Sequence, residues 1–141
     1  MAAISHSRFI PAEPGAVEQA ITEDVGAFIG AAGYDSVDVS DESVDIERQL
    51  GLATLSLSLR LVEDDEAALA FYQEDGMFEE LTMEYLVEPE ADGTQLSAQT
   101  EFTLGGVTGS VLDETIVRRQ RTKELEAQFD YVEETVLDDS E

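Results

Sequence analysis

From Ser110 to Leu137 the chain carries no residue that breaks a helix, and a glycine-rich corner, Gly105-Gly106-Val107-Thr108-Gly109, precedes it. Ser110 fits an N-cap, with Asp113 and Glu114 in the first turn, where the helix dipole favours negative charge. Val111, Thr115, Arg118, Thr122, Leu125, Phe129, Val132 and Val136 recur at helical spacing and form one stripe, apolar in its second half and mixed in its first. A helix this long must lie on a broad apolar surface. That requirement constrains everything upstream.

The upstream sequence supplies such a surface through a change of period. Ile4 to Ile10 alternates and is ended by Pro11, so it reads as a first strand. Pro14 suits a helix N1 position, with Glu13 as cap, and Val17, Ile21, Val25, Phe28 and Ile29 follow at helical spacing. Gly26, Gly30 and Gly33 weaken this segment, which predicts two short helices with a bend. From Tyr34 the period drops to two. Val37 and Val39 alternate with polar residues; Val44, Ile46, Arg48 and Leu50 share a face; and Leu55, Leu57, Leu59 and Leu61 share another. After the charged turn Glu63–Glu66 come Ala67 to Glu74, then Leu81 to Val87, then Leu96 to Leu104, with Asp75-Gly76 and Asp92-Gly93 as hairpin signals. The predicted architecture is α+β, an antiparallel sheet of about six to seven strands covered on one side by the C-terminal helix. A long curved sheet around one helix leaves room for a ligand between them. Residues 1–137 read as one domain and 138–141 as a frayed tail.

Composition narrows the environment. The chain has 141 residues and 43% apolar content, enough for a substantial core, and no apolar run long enough to span a membrane. The N-terminus, Met1-Ala2-Ala3-Ile4, has neither a basic region nor an apolar signal core, and predicts a cytoplasmic protein. Without cysteine there are no disulfides, thiolate nucleophiles or thiolate metal sites. Thirty-three acidic residues face seven basic ones, of which only Lys123 is lysine. The net charge of −26 makes the compact state repel itself. At about 1 M salt the Debye length shrinks to roughly 3 Å and screens that repulsion. Abundant carboxylates, scarce lysine and an ordinary core fit a salt-accumulating halophile; an acidic protein from an ordinary cytoplasm is the alternative. Either way the charge argues against nucleic acid and anionic membranes as partners.

Three stretches resemble a known family. Phe9-Ile10-Pro11-Ala12-Glu13-Pro14-Gly15-Ala16-Val17 is similar to a strand followed by an apolar-x-Ala-Pro-x-x-x-Val helix entry, with Pro and Ala here in reverse order and the usual aromatic after the Val missing. The hairpin run through Gly93-Thr94-Gln95-Leu96 to Thr100-Glu101-Phe102-Thr103-Leu104 and the terminal helix complete the pattern. Together they resemble the START-like superfamily, also called SRPBCC or Bet v 1-like, which includes polyketide cyclase/dehydrase-type proteins. The resemblance implies a helix-grip fold with a hydrophobic cavity. It also implies that the chain binds a small apolar or amphipathic molecule, as family members bind lipids, sterols or polyketides. A few members catalyse cyclisation or dehydration, and others are interaction modules. The family has no universal catalytic set to carry over.

Candidate site residues follow. Arg118, flanked by Thr115 and Thr122 on the stripe, would bind a carboxylate or enolate if it faced the cavity; otherwise it pairs with an acid at the rim. Arg118, Arg119, Arg121 and Lys123 cluster, and read better as pairs with Glu114, Glu124 or Glu126 on the same helix or with neighbouring strands than as an anion site. Arg48, on an apolar face, must be paired, rim-placed or displaced by a bulge; turned inward it would be a ligand anchor. Phe71, Tyr72, Met83, Tyr85, Phe102 and Phe129 are cavity walls or plain core. His6, the only histidine, has no partner by spacing and reads as an ordinary strand residue, and no Ser-His-Asp or phosphate-loop motif is present. Asp35, Asp38, Asp41 and Glu63–Glu66 would hold a hard cation weakly at best and read as solvated surface, so no metal and no cofactor are expected. The leading expectation is a cavity protein with little or no turnover. A cyclase or dehydratase is second, favoured if polar side chains converge in the cavity. An interaction module with a filled interior is third.

Overall fold

The computed structural model describes residues 2–50, 53–62, 66–76, 78–104 and 114–138, with residues 50, 53 and 138 described by their backbone alone. The order is β1 (Ala2–Ile10), α1 (Pro14–Thr22), α2 (Val25–Gly30), β2 (Ser36–Val39), β3 (Ser43–Leu50), β4 (Ala53–Leu61), β5 (Leu69–Asp75), β6 (Phe78–Glu90), β7 (Gly93–Leu104) and α3 (Glu114–Asp138). The expected glycine corner, the Ser110 cap with Val111 and Asp113, and Glu63–Asp65 of the charged turn lie outside the described residues.

All strands join one antiparallel sheet in the order β1-β7-β6-β5-β4-β3-β2. The break between α1 and α2 has a local cause. Asp24 caps α2 by accepting from the Ala27 N–H at 3.0 Å, so the chain restarts a helix there. Pro14 opens α1 as the sequence predicts, but Glu13 caps it with backbone only.

Two hairpins are made differently from their dipeptide signals. Glu90 pairs with Gly93, so the β6–β7 turn residues are Ala91 and Asp92, and Ala91 takes the positive φ of 38°. Gly93 serves another purpose: a Cβ there would collide with the Ile10 carbonyl and come within 2.8 Å of the Phe9 ring. Its bare backbone lets the end of β1 close against the turn. Between β5 and β6, the Gln73 side chain does the closing: its amide donates to the Phe78 carbonyl at 2.7 Å and accepts from the Phe78 N–H at 3.2 Å.

The inner sheet face, α1, α2 and the second half of α3 enclose the core. Ile10, Val17, Ile21, Phe28, Leu96, Leu125, Phe129 and Val132 are fully buried there. Thr54, Ser56 and Thr82 on the opposite face are exposed, as one-sided cover requires. Arg8 fastens β1 to α3. It pairs with Asp130 at 2.7 Å and Glu133 at 3.2 Å, and its guanidinium lies 5.8 Å from the Phe129 ring centre. No helix among the described residues is long and apolar enough to cross a membrane.

Candidate functional site

A pocket opens between the inner face of the sheet and the first half of α3. Its apolar wall is Ile46, Leu55, Leu57, Phe78, Leu81, Met83, Phe102 and Val117; its polar end is Tyr34, Arg48, Thr100, Gln120, Arg121 and Glu124. It encloses about 50 Å³ and opens to solvent beyond that. Drug-sized ligands occupy roughly 300–1,000 Å³, so this pocket suits a small molecule or one end of a larger one.

The polar end is built around Arg121, whose side chain is 6% exposed. Its Nε donates to Thr100 Oγ1 at 3.0 Å, Nη1 to Glu124 Oε1 at 3.1 Å and Tyr34 Oη at 3.4 Å, and Nη2 to Tyr85 Oη at 2.7 Å and Met83 Sδ at 3.4 Å. All five guanidinium N–H groups therefore meet an acceptor. Tyr85 passes the chain on, donating to Gln128 Oε1 at 2.7 Å, and Gln128 donates to the Ile29 carbonyl at 3.4 Å. Tyr34 Oη donates to Glu124 Oε1 at 2.8 Å. Among the described residues no buried side-chain polar atom lacks a partner.

Electrostatics locks the protons in this network. Burial pushes the Tyr34 hydroxyl well above the usual tyrosine value, and the neighbouring Glu124 carboxylate pushes it further, so Tyr34 stays a donor. Burial alone would weaken the Arg121 charge, but Tyr85, Tyr34 and Glu124 outweigh it and hold the proton more tightly than in water.

Arg48 enters the pocket from β3. Its Nη1 donates to the Ala32 carbonyl at 3.2 Å and lies 3.6 Å from Glu124 Oε2. Its guanidinium sits 5.6 Å from the Tyr34 ring centre. The Gln120 amide is assigned with its oxygen toward Arg48, accepting from Nε at 2.9 Å and Nη2 at 3.1 Å; the opposite orientation would set its NH2 against those two donors, with only a 3.4 Å contact to Glu124 Oε2 in its favour.

The expected site residues divide between this pocket and elsewhere. Arg48, Met83 and Phe102 line it. Tyr85 lies behind it in the network, 1% exposed, with Phe28 edge-on at 4.9 Å. Phe129 belongs to the apolar core beside His6, 5.1 Å between ring centres, and Phe71 is buried on β5 away from the pocket lining. Of the two placements open to Arg118, the structure shows the rim one. It is 43% exposed, pairs with Glu114 at 3.3 Å and donates to the Ala3 carbonyl at 3.0 Å, outside the pocket. Thr122, on the same line, donates to the Arg118 carbonyl and also stays outside. Sequence reasoning takes Arg121 only as one of an intrahelical cluster; it does pair with Glu124 at 3.1 Å, but buried at the polar end of the pocket. The signal was present: Arg121 lies four residues after Val117 and four before Leu125, on a line joining two apolar residues. Among the described residues no three potential metal ligands converge; Asp35 instead accepts from the Gln49 N–H at 2.7 Å.

The sequence matches no protein-family model and no curated protein. Solved structures do match. TTHA0849 from Thermus thermophilus superposes with a TM-score of 0.80 at 20% identity, covering 99% of this chain and 100% of its own. A START superfamily protein from Mycobacterium smegmatis gives 0.69 at 11% identity, over 96% and 97% of the two chains. The chain has the helix-grip fold of the START-like superfamily. The Zhui aromatase/cyclase from Streptomyces sp. R1128 shares it, with a TM-score of 0.70 at 15% identity over 98% of this chain and 92% of that one. At these identities the helix-grip likeness concerns the fold.

Proposed function

We propose that this chain binds a small amphipathic molecule, apolar body against Leu57, Phe78, Leu81 and Phe102 and polar end toward Arg48 and Glu124. The observation that carries the reading is the pocket's division into an apolar wall and a charged end. The enclosed volume argues against a whole sterol or lipid and for a compact ligand or the head of a longer one. Fold neighbours described as START superfamily and aromatase/cyclase proteins support a cavity function in general terms. The net charge of −26 supports action in concentrated salt.

A cyclase- or dehydratase-like activity is the second reading, favoured by the convergence of Tyr34, Arg121 and Glu124 in the pocket. Against it stands their mutual saturation. Arg121 has spent its donors, and Tyr34 donates its hydroxyl to Glu124 and is held protonated. Glu124 Oε2, 3.6 Å from Arg48, is the atom best placed to act as a general base.

Native mass spectrometry of protein purified in multimolar KCl, with uptake of a fluorescent apolar probe in the same salt, tests the binding reading. A co-purifying small molecule or saturable uptake is expected. A clean mass together with no uptake overturns it and moves the choice to an interaction module.

A further inference from the structure

Arg48 is held on three sides and closed on the fourth by a group that can leave. The Ala32 carbonyl and Glu124 Oε2 take Nη1, and the Tyr34 ring covers one face. The Nε–Nη2 edge, the fork with which arginine grips a carboxylate through two parallel hydrogen bonds, is met among the described residues by the Gln120 amide oxygen at 2.9 and 3.1 Å. That oxygen is a neutral acceptor in the place where an anion binds best. Gln120 is half-buried on α3 and lines the pocket mouth, so a rotamer change removes it without moving backbone. The charge count agrees. Among the described residues Arg48 and Arg121 face one carboxylate, Glu124, and leave one positive charge in excess inside a protein of net charge −26.

We infer that the pocket selects a small monocarboxylate, which displaces the Gln120 amide from the Arg48 fork and lays its apolar body along the sheet. This rests on the binding reading above and adds the ligand's charge and its anchor. Gln120 acts as a stand-in that keeps the fork satisfied until a carboxylate arrives, at the same time filling space the ligand would use.

Benzoate and benzamide, equal in shape and different in charge, test it by titration of the full chain in one salt, followed by isotope-edited NMR of the Gln120 side-chain amide. Benzoate is expected to bind about tenfold or more tighter than benzamide, the usual gain of a hydrogen bond to a charged group. It should shift the Gln120 amide resonances. Arg48→Gln should close the gap, and Gln120→Ala should strengthen benzoate. Equal affinities, or tighter benzamide, in the unmodified chain overturn the carboxylate inference while leaving the pocket reading intact. So does a gap that survives Arg48→Gln, or a Gln120→Ala variant with no gain. Should Arg48→Gln not fold, the benzoate–benzamide ratio and Gln120→Ala decide alone. If neither compound binds but an apolar probe is taken up, the inference falls and the pocket stands; if the probe is refused too, both fall.

Discussion

The two halves of α3 rest on the same sheet and bury opposite kinds of group. From Leu125 onward, Leu125, Phe129, Val132 and Val136 face β1, α1 and α2 and are at most 5% exposed, and Gln128 is the one buried polar side chain among the described residues there. Within the turn just before Leu125 the buried residues are Arg121 and Glu124, ringed by Tyr34, Thr100 and Tyr85. The apolar half gains stability simply by leaving water. The charged half must first overcome desolvation, and a buried ion pair seldom returns more than a well-packed hydrophobic replacement would. The fold is therefore held by one half of the helix, and the other half keeps a costly arrangement that makes sense as a site.

The strongest way to break this contrast is to damage each half alone. Glu124→Gln leaves Arg121 buried without its carboxylate and should cost about 3–5 kcal/mol, read by chemical denaturation in high salt. Phe129→Ala in the apolar half should cost about 3–5 kcal/mol through lost burial and a cavity. The halves separate when both charges go: Arg121→Met with Glu124→Leu should recover most of the single-variant loss, whereas no second substitution beside Phe129→Ala short of refilling the hole will. A double variant as unstable as Glu124→Gln would mean that the network is itself a main support of the fold.

Smaller effects sharpen the contrast. Tyr34→Phe removes the donor to Glu124 and should cost about 1–3 kcal/mol. It also carries a pH signature. Because the folded chain holds the Tyr34 proton above the ordinary tyrosine value, the unfolded chain gives that proton up first as pH rises. The stabilisation is full below about pH 10 and is lost as pH climbs from there toward the folded value, so alkaline melting should be less steep in Tyr34→Phe. An unchanged alkaline limb would show that Tyr34 is not held in this way. Smallest is Arg118→Ala: an exposed pair with Glu114 should matter by less than about 0.5 kcal/mol, and benzoate affinity should not move.

The apolar half was legible in the sequence because its pattern is hydrophobic and periodicity reads hydrophobicity. Leu125, Phe129, Val132 and Val136 fall where the stripe placed them, and the alternation in Thr54–Leu61 and Leu96–Leu104 placed β4 and β7 within a few residues. The charged half was not, because extending the stripe backward through Thr122 and Arg118 follows the helical spacing but not the sheet beneath. The buried line passes through Val117, Arg121 and Glu124 instead, and a buried arginine looks the same in sequence as an exposed one. Arg48 was readable as a choice among three placements, since a charge on the Val44–Ile46 face needs a reason; only its contacts with Ala32, Glu124 and Gln120, from distant parts of the chain, show that it is paired. The β6–β7 turn shows the same limit at short range. Asp92-Gly93 marks a hairpin, but the glycine answers to Ile10, more than eighty residues earlier in the chain.

That distant pairing bears on how the chain assembles. From β2 to β7 every strand lies beside its neighbour in sequence, so hairpins along that run can form early and locally. β1 is the exception, joining Ala2 to Phe102 and Ile10 to Thr94. Closing so large a loop is entropically slow, and it waits until β7 exists. During synthesis β1, which leaves the ribosome before the other strands of this sheet, is thus among the last of them to find its place. Until it does, β7 presents an unpaired edge. In dilute salt, where the nascent chain's carboxylates repel one another over longer distances, that interval should lengthen, and the open edge of β7 becomes the point at which a stalled chain would capture another copy of itself.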